Sequence, residues 1–483
     1  MASPTHDDDR RVRLLASAAV TLGHLSEVLT PLGERFALAG HELYLVGGSV
    51  RDAVLGRLGT DLDFTTDAPP EEVQQILSGW VDAQWDTGIA FGTVSAVKDD
   101  QQIEITTFRS DEYDRIGRNP QVSYGESLEE DLVRRDFRVN AMAVRIGADG
   151  SQEFVDPMNG MDDLLGGVLD TPGLPEDSFH DDPLRMLRAA RFVAQLGFTV
   201  SPRVHQAIVD MADEIRRITA ERVRAELDKL ILGPHPIDGI DLMCETGLAQ
   251  IVLPEVPEMK LEIDEHHQHK DVYRHSLTVL QQAMDLEDGD PDLVLRWAAL
   301  LHDIGKPDTK RNEAGGGVSF HHHEVVGAKM VRKRMRALKY SKQMVDDVAQ
   351  LVFLHLRFHG YGKGQWTDSA VRRYVHDAGP LLSRLHKLVR ADCTTRNKRR
   401  AAALQATYDD LERRIDAIAA AEDLARVRPD LDGNAIMELL GLPPGPQVGE
   451  AWKFLKELRL DRGPLSRKDA EQELLAWWAS QKD

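Results

Sequence analysis

Cysteine is scarce in this chain: Cys244 and Cys393 are the only two. Two thiols cannot build a disulfide scaffold or a four-thiolate zinc site. No run of 18 apolar residues occurs, so no membrane-spanning helix is expected. The opening MASPTHDDDRR is acidic and lacks an apolar stretch, so no signal peptide is expected and a cytoplasmic location is. Positive charge is also short. Lys and Arg number 59 against 80 Asp and Glu, a net of −21. That excludes a globally basic nucleic-acid binder, though not a local basic cleft. Internal repeats and low-complexity tracts are absent. What remains, 42% apolar and 29% charged, is globular composition. A chain of 483 residues exceeds one core, so three or more domains are expected.

The texture changes along the chain. Residues 1–10 read as loose and 11–39 as helical. Short β-rich runs follow at 42–47, 60–66, 92–98, 102–108 and 139–146, with helical patches at 49–57 and 70–78. Residues 109–131 keep no period and read as one long loop, of the kind that is functional or mobile. After Gly167 strand signals nearly vanish, and 181–233 and most of the remainder read as helices. Ten of the 18 histidines fall between His266 and His359, a chemically separate segment.

In LYLVGGSVRDAVLGRLGTDLDFTT, 43–66, an apolar strand runs into Gly47, Gly48 and Ser49, and a helix follows with Arg51 one turn in. Such a turn offers backbone N–H groups and a positive helix end to an anion. Asp61 and Asp63, two apart on a strand, share one face, with Leu62 and Phe64 on the other. Adjacent carboxylates repel unless a cation lies between them, and hard oxygen ligands suit Mg²⁺ bridging phosphates. Glu104 in IEITTFR is the expected third carboxylate, from a neighbouring strand.

On these residues the chain resembles the polymerase β-type nucleotidyltransferases. Within them it is similar to the class II branch of bacterial CCA-adding enzymes and poly(A) polymerases. VGGSVRD and DLD resemble the triphosphate and metal motif, and LVRRDFRVNAMA, 132–143, the ribose-selecting one. FVDPMNGMDDL, 154–164, is similar to the hinge motif. DDPLRMLRAARFVAQLGF, 181–198, is similar to the base-selecting helix, and ERVRAELDKLI, 221–231, to the neck helix supporting it. The resemblance implies an α+β chain in four parts. These are a nucleotidyltransferase head with a small mixed sheet (1–165), an all-α neck (166–258), a helical body (259–400) and a helical tail (401–483) with tRNA contact.

Asp182, Arg185, Arg188 and Arg191 step by three, which on a helix gives one slanted stripe. An aspartate with an arginine can present acceptors and donors to a base edge. The resemblance implies that they template C or A in place of nucleic acid. Arg188 and Arg191 are also expected to reach triphosphate oxygens. Arg135 and Asp136 match positions near the sugar, where Asp136 would accept from the 2′-OH.

A second constellation begins at His275. His302 and Asp303 open HDIGKP, and His323, His355 and Asp392 follow on later apolar segments. Histidines and aspartates on successive helices can meet in a bundle and hold one or two divalent metals. LLHDIGKP resembles the HD phosphohydrolase signature. Which histidine of His321, His322 and His323 is the ligand stays open at this stage, and His266, His267 and His269 read as surface residues. Histidine ligation favours Mn²⁺, Co²⁺ or Ni²⁺ here, beside Mg²⁺ in the head.

The expected reaction is addition of CCA to the tRNA 3′ end from CTP and ATP, with two metals and release of pyrophosphate. The rivals are a poly(A) polymerase, an enzyme adding only CC or only A, and an HD hydrolase with an inactive head. GTVSAV at 92–97 favours the CCA-adding form over a basic poly(A) strand, and Arg115 and Arg118 in the long loop favour complete addition. The partners expected are tRNA, CTP and ATP, with no membrane and no obligate protein. Basic runs at 331–342 and 396–400 are the candidate RNA-facing surfaces.

Overall fold

The computed structural model describes residues 6–85, 88–89, 92–110, 123–124, 127–265, 268–313, 318–358, 361, 366–394, 397–422 and 428–481. It divides into two compact units, Met1–Ile251 and Val252–Asp483. Among the described residues no single helix is long and apolar enough to cross a membrane.

The first unit is built on a seven-stranded mixed sheet. Its strands are β1 (Leu43–Val46), β2 (Asp61–Thr66), β3 (Ala83–Trp85), β4 (Thr93–Lys98), β5 (Gln101–Thr107), β6 (Ala143–Ile146) and β7 (Gln152–Val155). The order is β3-β4-β5-β2-β1-β6-β7. Only β2 and β5 run parallel; the other pairs are antiparallel. Leu62, Phe64, Ile103 and Ile105 are all within 1% of full burial. Burying each contributes roughly 1.5–3 kcal/mol. That anchorage holds the opposite, polar face of β2 and β5 in place.

The five expected strands are present, but β3 and β7 were not anticipated, because each is short and half polar. The run 139–146 is a strand only in its second half. Its start is the 3₁₀ turn Arg138–Asn140. Within the expected loop 109–131, Arg109–Ser110 and Ser123–Tyr124 form a short antiparallel pair, and 111–122 and 125–126 lie outside the described residues. Ser127 caps a helix at Leu128–Val133, its hydroxyl accepting from the Glu130 N–H at 3.4 Å. Arg115 and Arg118 lie outside the described residues. The start of the chain is helical from His6 rather than loose.

Helix α1 (Gly48–Val54) follows β1. The rest of the described first unit is mainly helical, chiefly α2 (Leu184–Leu196) and α3 (Ala220–Ile231), which pack together. A two-residue parallel pair, Val168–Leu169 with Thr199–Val200, ties the segment after the sheet to the end of α2.

The second unit is a helical bundle in which α4 (Val272–Met284), α5 (Leu293–Leu301), α6 (His323–Ala337), α7 (Lys342–Leu354) and α8 (Leu382–Ala391) surround one core. Its only strands among the described residues are hairpins at Glu262–Glu265 with Gln268–Asp271 and Arg311–Asn312 with Val318–Ser319. A separate apolar cluster of Leu431, Ile436, Leu455 and Leu474 holds the last three helices.

Candidate active site and metal centre

The β1–α1 turn and β2 are tied by one hydroxyl. Ser49 Oγ donates to the Asp61 carbonyl at 3.2 Å and accepts from the Asp63 N–H at 2.9 Å. The serine thus fixes the glycine turn against the backbone that carries both carboxylates. Gly47 has φ +69°, and a Cβ there would lie 2.9 Å from Arg135 Nη1 and 3.9 Å from an Asp63 oxygen. Only glycine leaves this turn open toward Asp63 and Arg135.

In the β2–β5 register Asp63 is opposite Glu104, and Asp61 is opposite Gln102. Asp61, Asp63 and Glu104 therefore share the exposed face of two neighbouring strands. The Asp63 carboxyl lies above the usual carboxylate range. Surrounding protein is the larger cause and the Glu104 charge the next, with Arg135 opposing both. Carboxylates crowded on one face are suited to a divalent cation.

The arginines have definite partners. Arg51 is 8% exposed and makes a bidentate pair with Asp52, Nε at 3.0 Å and Nη2 at 2.8 Å. Its Nη1 donates to Asn140 Oδ1 at 2.6 Å. Arg135 Nη2 donates to Asp131 at 2.9 Å. Arg185 donates to Ser178 Oγ at 2.8 Å and to the Arg134 carbonyl at 2.7 Å. Arg135 and Arg185 line one cavity of about 740 Å³, walled also by Val133, Pro172, Leu174 and His180.

The slanted stripe is not what forms. Asp182 precedes α2 in extended backbone, φ −139°, because Pro183 and its own side chain start the helix after it. Asp182 Oδ1 accepts from the Leu184 N–H at 3.2 Å, and Oδ2 from Arg222 of α3 at 2.7 Å. Arg188 pairs with Asp136, Nε at 2.7 Å. Arg191 is 7% exposed and pairs with Glu226 of α3 at 3.1 Å. Arg191 is thus engaged with α3 behind the helix.

Asp136 is likewise committed. Oδ1 accepts from the Phe137 N–H and Asn140 Nδ2, both at 2.9 Å, and Oδ2 from Arg188. Burial, the largest influence, would push its carboxyl up, but Arg188 and Asn140 together hold it below the usual range. Both its oxygens accept from protein donors, which fixes the carboxylate between Asn140 and Arg188. Asn140, Asp131 and Ser178 were missed in the sequence. Arg222 and Glu226 lay within ERVRAELDKLI, and their spacing of four on α3 was the available signal.

In the second unit six side chains from five segments converge. His275 sits on α4, and His302 and Asp303 follow α5. His323 begins α6, His355 follows α7 and Asp392 follows α8. They form two groups, His275–His302–Asp392 and Asp303–His323–His355, with ligand atoms within 4.8 Å of one another in each. His302 Nε2 is 3.3 Å from His275 Nε2 and 3.2 Å from Asp303 Oδ2. His275 Nε2 is 3.0 Å from Asp392 Oδ1, and His323 Nε2 is 3.2 Å from Asp303 Oδ1. Lys306 Nζ lies 2.7 Å from Asp303 Oδ2.

Local chain geometry aims these rings. His302, His323 and His355 each donate Nδ1–H to the carbonyl three residues earlier, at 2.9, 2.8 and 2.6 Å. A carbonyl can only accept, so in the neutral ring each Nε2 is left as a lone pair facing inward. Among the described residues the buried Nε2 atoms of His323 and His355 have no hydrogen-bond partner. Burial would lower the His302 ring, but Asp303 and Asp392 outweigh it and raise it to about 9. The negative charge gathered there is what a divalent cation would neutralise. Of the triplet, His323 is buried and grouped with Asp303 and His355, while His321 and His322 are exposed. His266 and His267 lie outside the described residues. Gly305 fits the close approach of HDIGKP to α6, where a Cβ would meet the His323 carbonyl at 2.3 Å.

Residues 43–170 match the family of poly A polymerase head domains. Residues 197–259 match the probable RNA and SrmB-binding site of polymerase A, and 272–397 match the HD domain. The chain is 34% identical over 428 residues to an A-adding tRNA nucleotidyltransferase of Deinococcus radiodurans, covering 86% of this chain and 91% of the relative. It is 31% identical over 444 residues to a CCA-adding enzyme of Anoxybacillus flavithermus, covering 91% and 93%. Its fold is similar to that of the Bacillus stearothermophilus CCA-adding enzyme in complex with CTP, with a TM-score of 0.68, 26% identity and coverage of 93% and 97%. The Thermotoga maritima CCA-adding enzyme complexed with tRNA shares the fold at a TM-score of 0.57, 17% identity and coverage of 94% and 95%.

Proposed function

Because the chain belongs to the tRNA nucleotidyltransferases that join a poly(A) polymerase-type head to an HD domain, we propose that it adds CCA to the tRNA 3′ end. CTP and ATP are the donors. The tRNA 3′-oxygen attacks the α-phosphorus, the bond to the β-phosphate oxygen breaks, and pyrophosphate leaves. The observation that carries this reading is the register that sets Glu104 beside Asp63, on the face it shares with Asp61, at the mouth of the Gly47–Gly48 turn.

Asp61 and Asp63, with Glu104 alongside, would hold Mg²⁺, which supplies hydroxyl activation and charge neutralisation of the phosphates. The residues of the chain supply the rest. The Gly47–Gly48 turn and the start of α1 offer N–H groups to the phosphates, and Arg51 and Arg188 add positive charge. Asp182 and Arg185 read the base edge, Arg222 holding Asp182 in place. Arg135 faces the sugar side, and Asp136 orients Arg188 and Asn140. Basic side chains exposed on α6 and just after it, including Lys333, Arg336 and Lys342, offer the tRNA backbone a local attraction that the net charge lacks.

The family's metal dependence extends to the HD centre. Its six residues would hold one or two transition-metal ions and support hydrolysis of phosphate esters.

A second reading is favoured by one observation, the 34% identity to an A-adding relative over most of both chains. In that reading only the terminal A is added. Each nucleotide offered separately distinguishes them. On tRNA ending before CCA, complete activity extends with CTP alone by two residues. An A-adding enzyme leaves that tRNA untouched and extends only tRNA that already ends in CC.

A further inference from the structure

Asn140 carries none of the roles assigned above, yet it joins two of them. It ends the 3₁₀ turn Arg138–Asn140 and is 5% exposed. Both ends of its amide are engaged. Oδ1 accepts from Arg51 Nη1 at 2.6 Å, and Nδ2 donates to Asp136 Oδ1 at 2.9 Å. Beyond Arg51 the line continues to Asp52, and beyond Asp136 to Arg188. Asp52, Arg51, Asn140, Asp136 and Arg188 thus form one chain of contacts from α1 to α2.

The two arginines are held close. Their guanidinium carbons lie 5.1 and 5.7 Å from the ring centre of Phe192, which is 4% exposed. Like charges gathered on one ring repel, so something must fix their separation. The neutral amide and the Asp136 carboxylate stand between them. The contacts of Arg51 with Asp52 and Asn140 engage three of its five N–H groups. Its Nη2 lies 3.5 Å from where a Gly48 Cβ would be, so it sits directly under the glycine turn.

The position demands an acceptor at one end and a donor at the other. Aspartate would set a second carboxylate against Asp136. Alanine or leucine would leave Arg51 and Asp136 each short of a buried partner. Asparagine alone meets both needs at this length.

We propose that Asn140 is a positioning residue for nucleotidyl transfer, its amide setting the spacing of Arg51 and Arg188 so that both meet one triphosphate. This rests on the head reading given above. The triphosphate is common to all nucleotides, so the effect of Asn140 is on nucleotide affinity whichever base is added. It is distinct from base choice by Asp182 and Arg185.

The test compares the intact wild-type enzyme with N140A, N140D and R188A, alone and with R188A combined with N140A. Steady-state tRNA extension gives KM for CTP, ATP and tRNA. Calorimetric titration with CTP and with ATP gives binding without turnover, and melting curves report folding. In N140A the KM and Kd of both nucleotides are expected to rise about tenfold, as for loss of a charge-assisted contact, with KM for tRNA unchanged. The loss in the double variant is expected to be smaller than the product of the single losses.

N140D adds a readout that a structural staple would not move. Two facing carboxylates share a proton, and the protonated one restores the missing donor. Nucleotide binding by N140D should therefore strengthen relative to wild type as pH falls. A lower melting temperature with unchanged nucleotide KM and Kd would overturn the proposal. A wild-type pH profile in N140D would do the same, and it decides the matter if N140A does not fold. Should wild type bind nucleotide but extend no tRNA, the head reading fails separately, and the titrations still judge Asn140.

Discussion

Arg191 and Glu226 meet at 3.1 Å with 7% and 5% exposure, an ion pair buried between the helix expected to read the base and the helix behind it. Burial, only partly offset by Glu226, lowers the Arg191 guanidinium to about 10. A pair of this kind is costly to break, because one partner is left charged and buried. Glu226→Ala is expected to destabilise the first unit by about 3–5 kcal/mol. Differential scanning calorimetry should show a lower Tm for Glu226→Ala and an unchanged one for the exposed Asp61→Ala. Equal melting of all three proteins would refute the supporting role.

Stability should also depend on pH through Asp163, in the segment 154–164. Its carboxyl is pushed up to about 6, by burial first and then by Asp170 and Asp156, while Arg138 opposes. The unfolded carboxyl titrates near 3.8. The folded state therefore binds the extra proton between about 4 and 6, and stability falls as pH rises through that window. Asp163→Asn is expected to flatten the fall and raise Tm above pH 6. Melting curves from pH 4 to 8 check this, and an unchanged slope would contradict it.

Base choice should separate from nucleotide affinity. Asp182→Ala and Arg185→Ala are expected to raise misincorporation of UTP and GTP tenfold or more, since a bidentate base contact is worth about 1–3 kcal/mol. Arg222→Ala should reproduce part of the Asp182 effect by releasing its carboxylate. Sequencing of extended tRNA ends measures this. Full selectivity in all three would place base reading elsewhere.

The HD centre and the head carboxylates use different ligand types in different units of the chain. His302→Ala combined with Asp303→Ala should remove bound Mn²⁺, Co²⁺ or Ni²⁺ and any phosphate-ester hydrolysis. tRNA extension should stay within a few-fold of wild type, because no head residue is touched. Metal content by mass spectrometry and extension by the same protein test this. Retained metal would reduce the cluster to scaffold, and lost extension would join the two centres.

How much the sequence disclosed depended on the range of the interaction. Asp61, Asp63 and Glu104 were legible because strand alternation sorts side chains by face, and their apolar neighbours declared the other face. The six HD residues were legible because they lie at or near the ends of successive helices, so a bundle brings them inward. The choice of His323 over His321 and His322 was not, since burial alone decides it. The stripe from Asp182 to Arg191 misled because helical spacing was applied across Pro183, where the helix has not begun. The pairings of Arg191 and Asp136 were not legible because their partners, Glu226 and Arg188, are distant in sequence. Asn140 escaped for the same reason, as its value lies in contacts 89 residues away as well as four.

The central claim is that Asp61 and Asp63 serve one polymerising centre that builds CCA. The most direct measurement is single-nucleotide sizing of tRNA lacking CCA, incubated with Mg²⁺, CTP and ATP and either wild type, Asp61→Ala or Asp63→Ala. Wild type should extend the tRNA by three residues and stop, while both variants, folded by their melting curves, should add neither C nor A. A long adenosine ladder from wild type, or undiminished extension by either variant, would contradict the account.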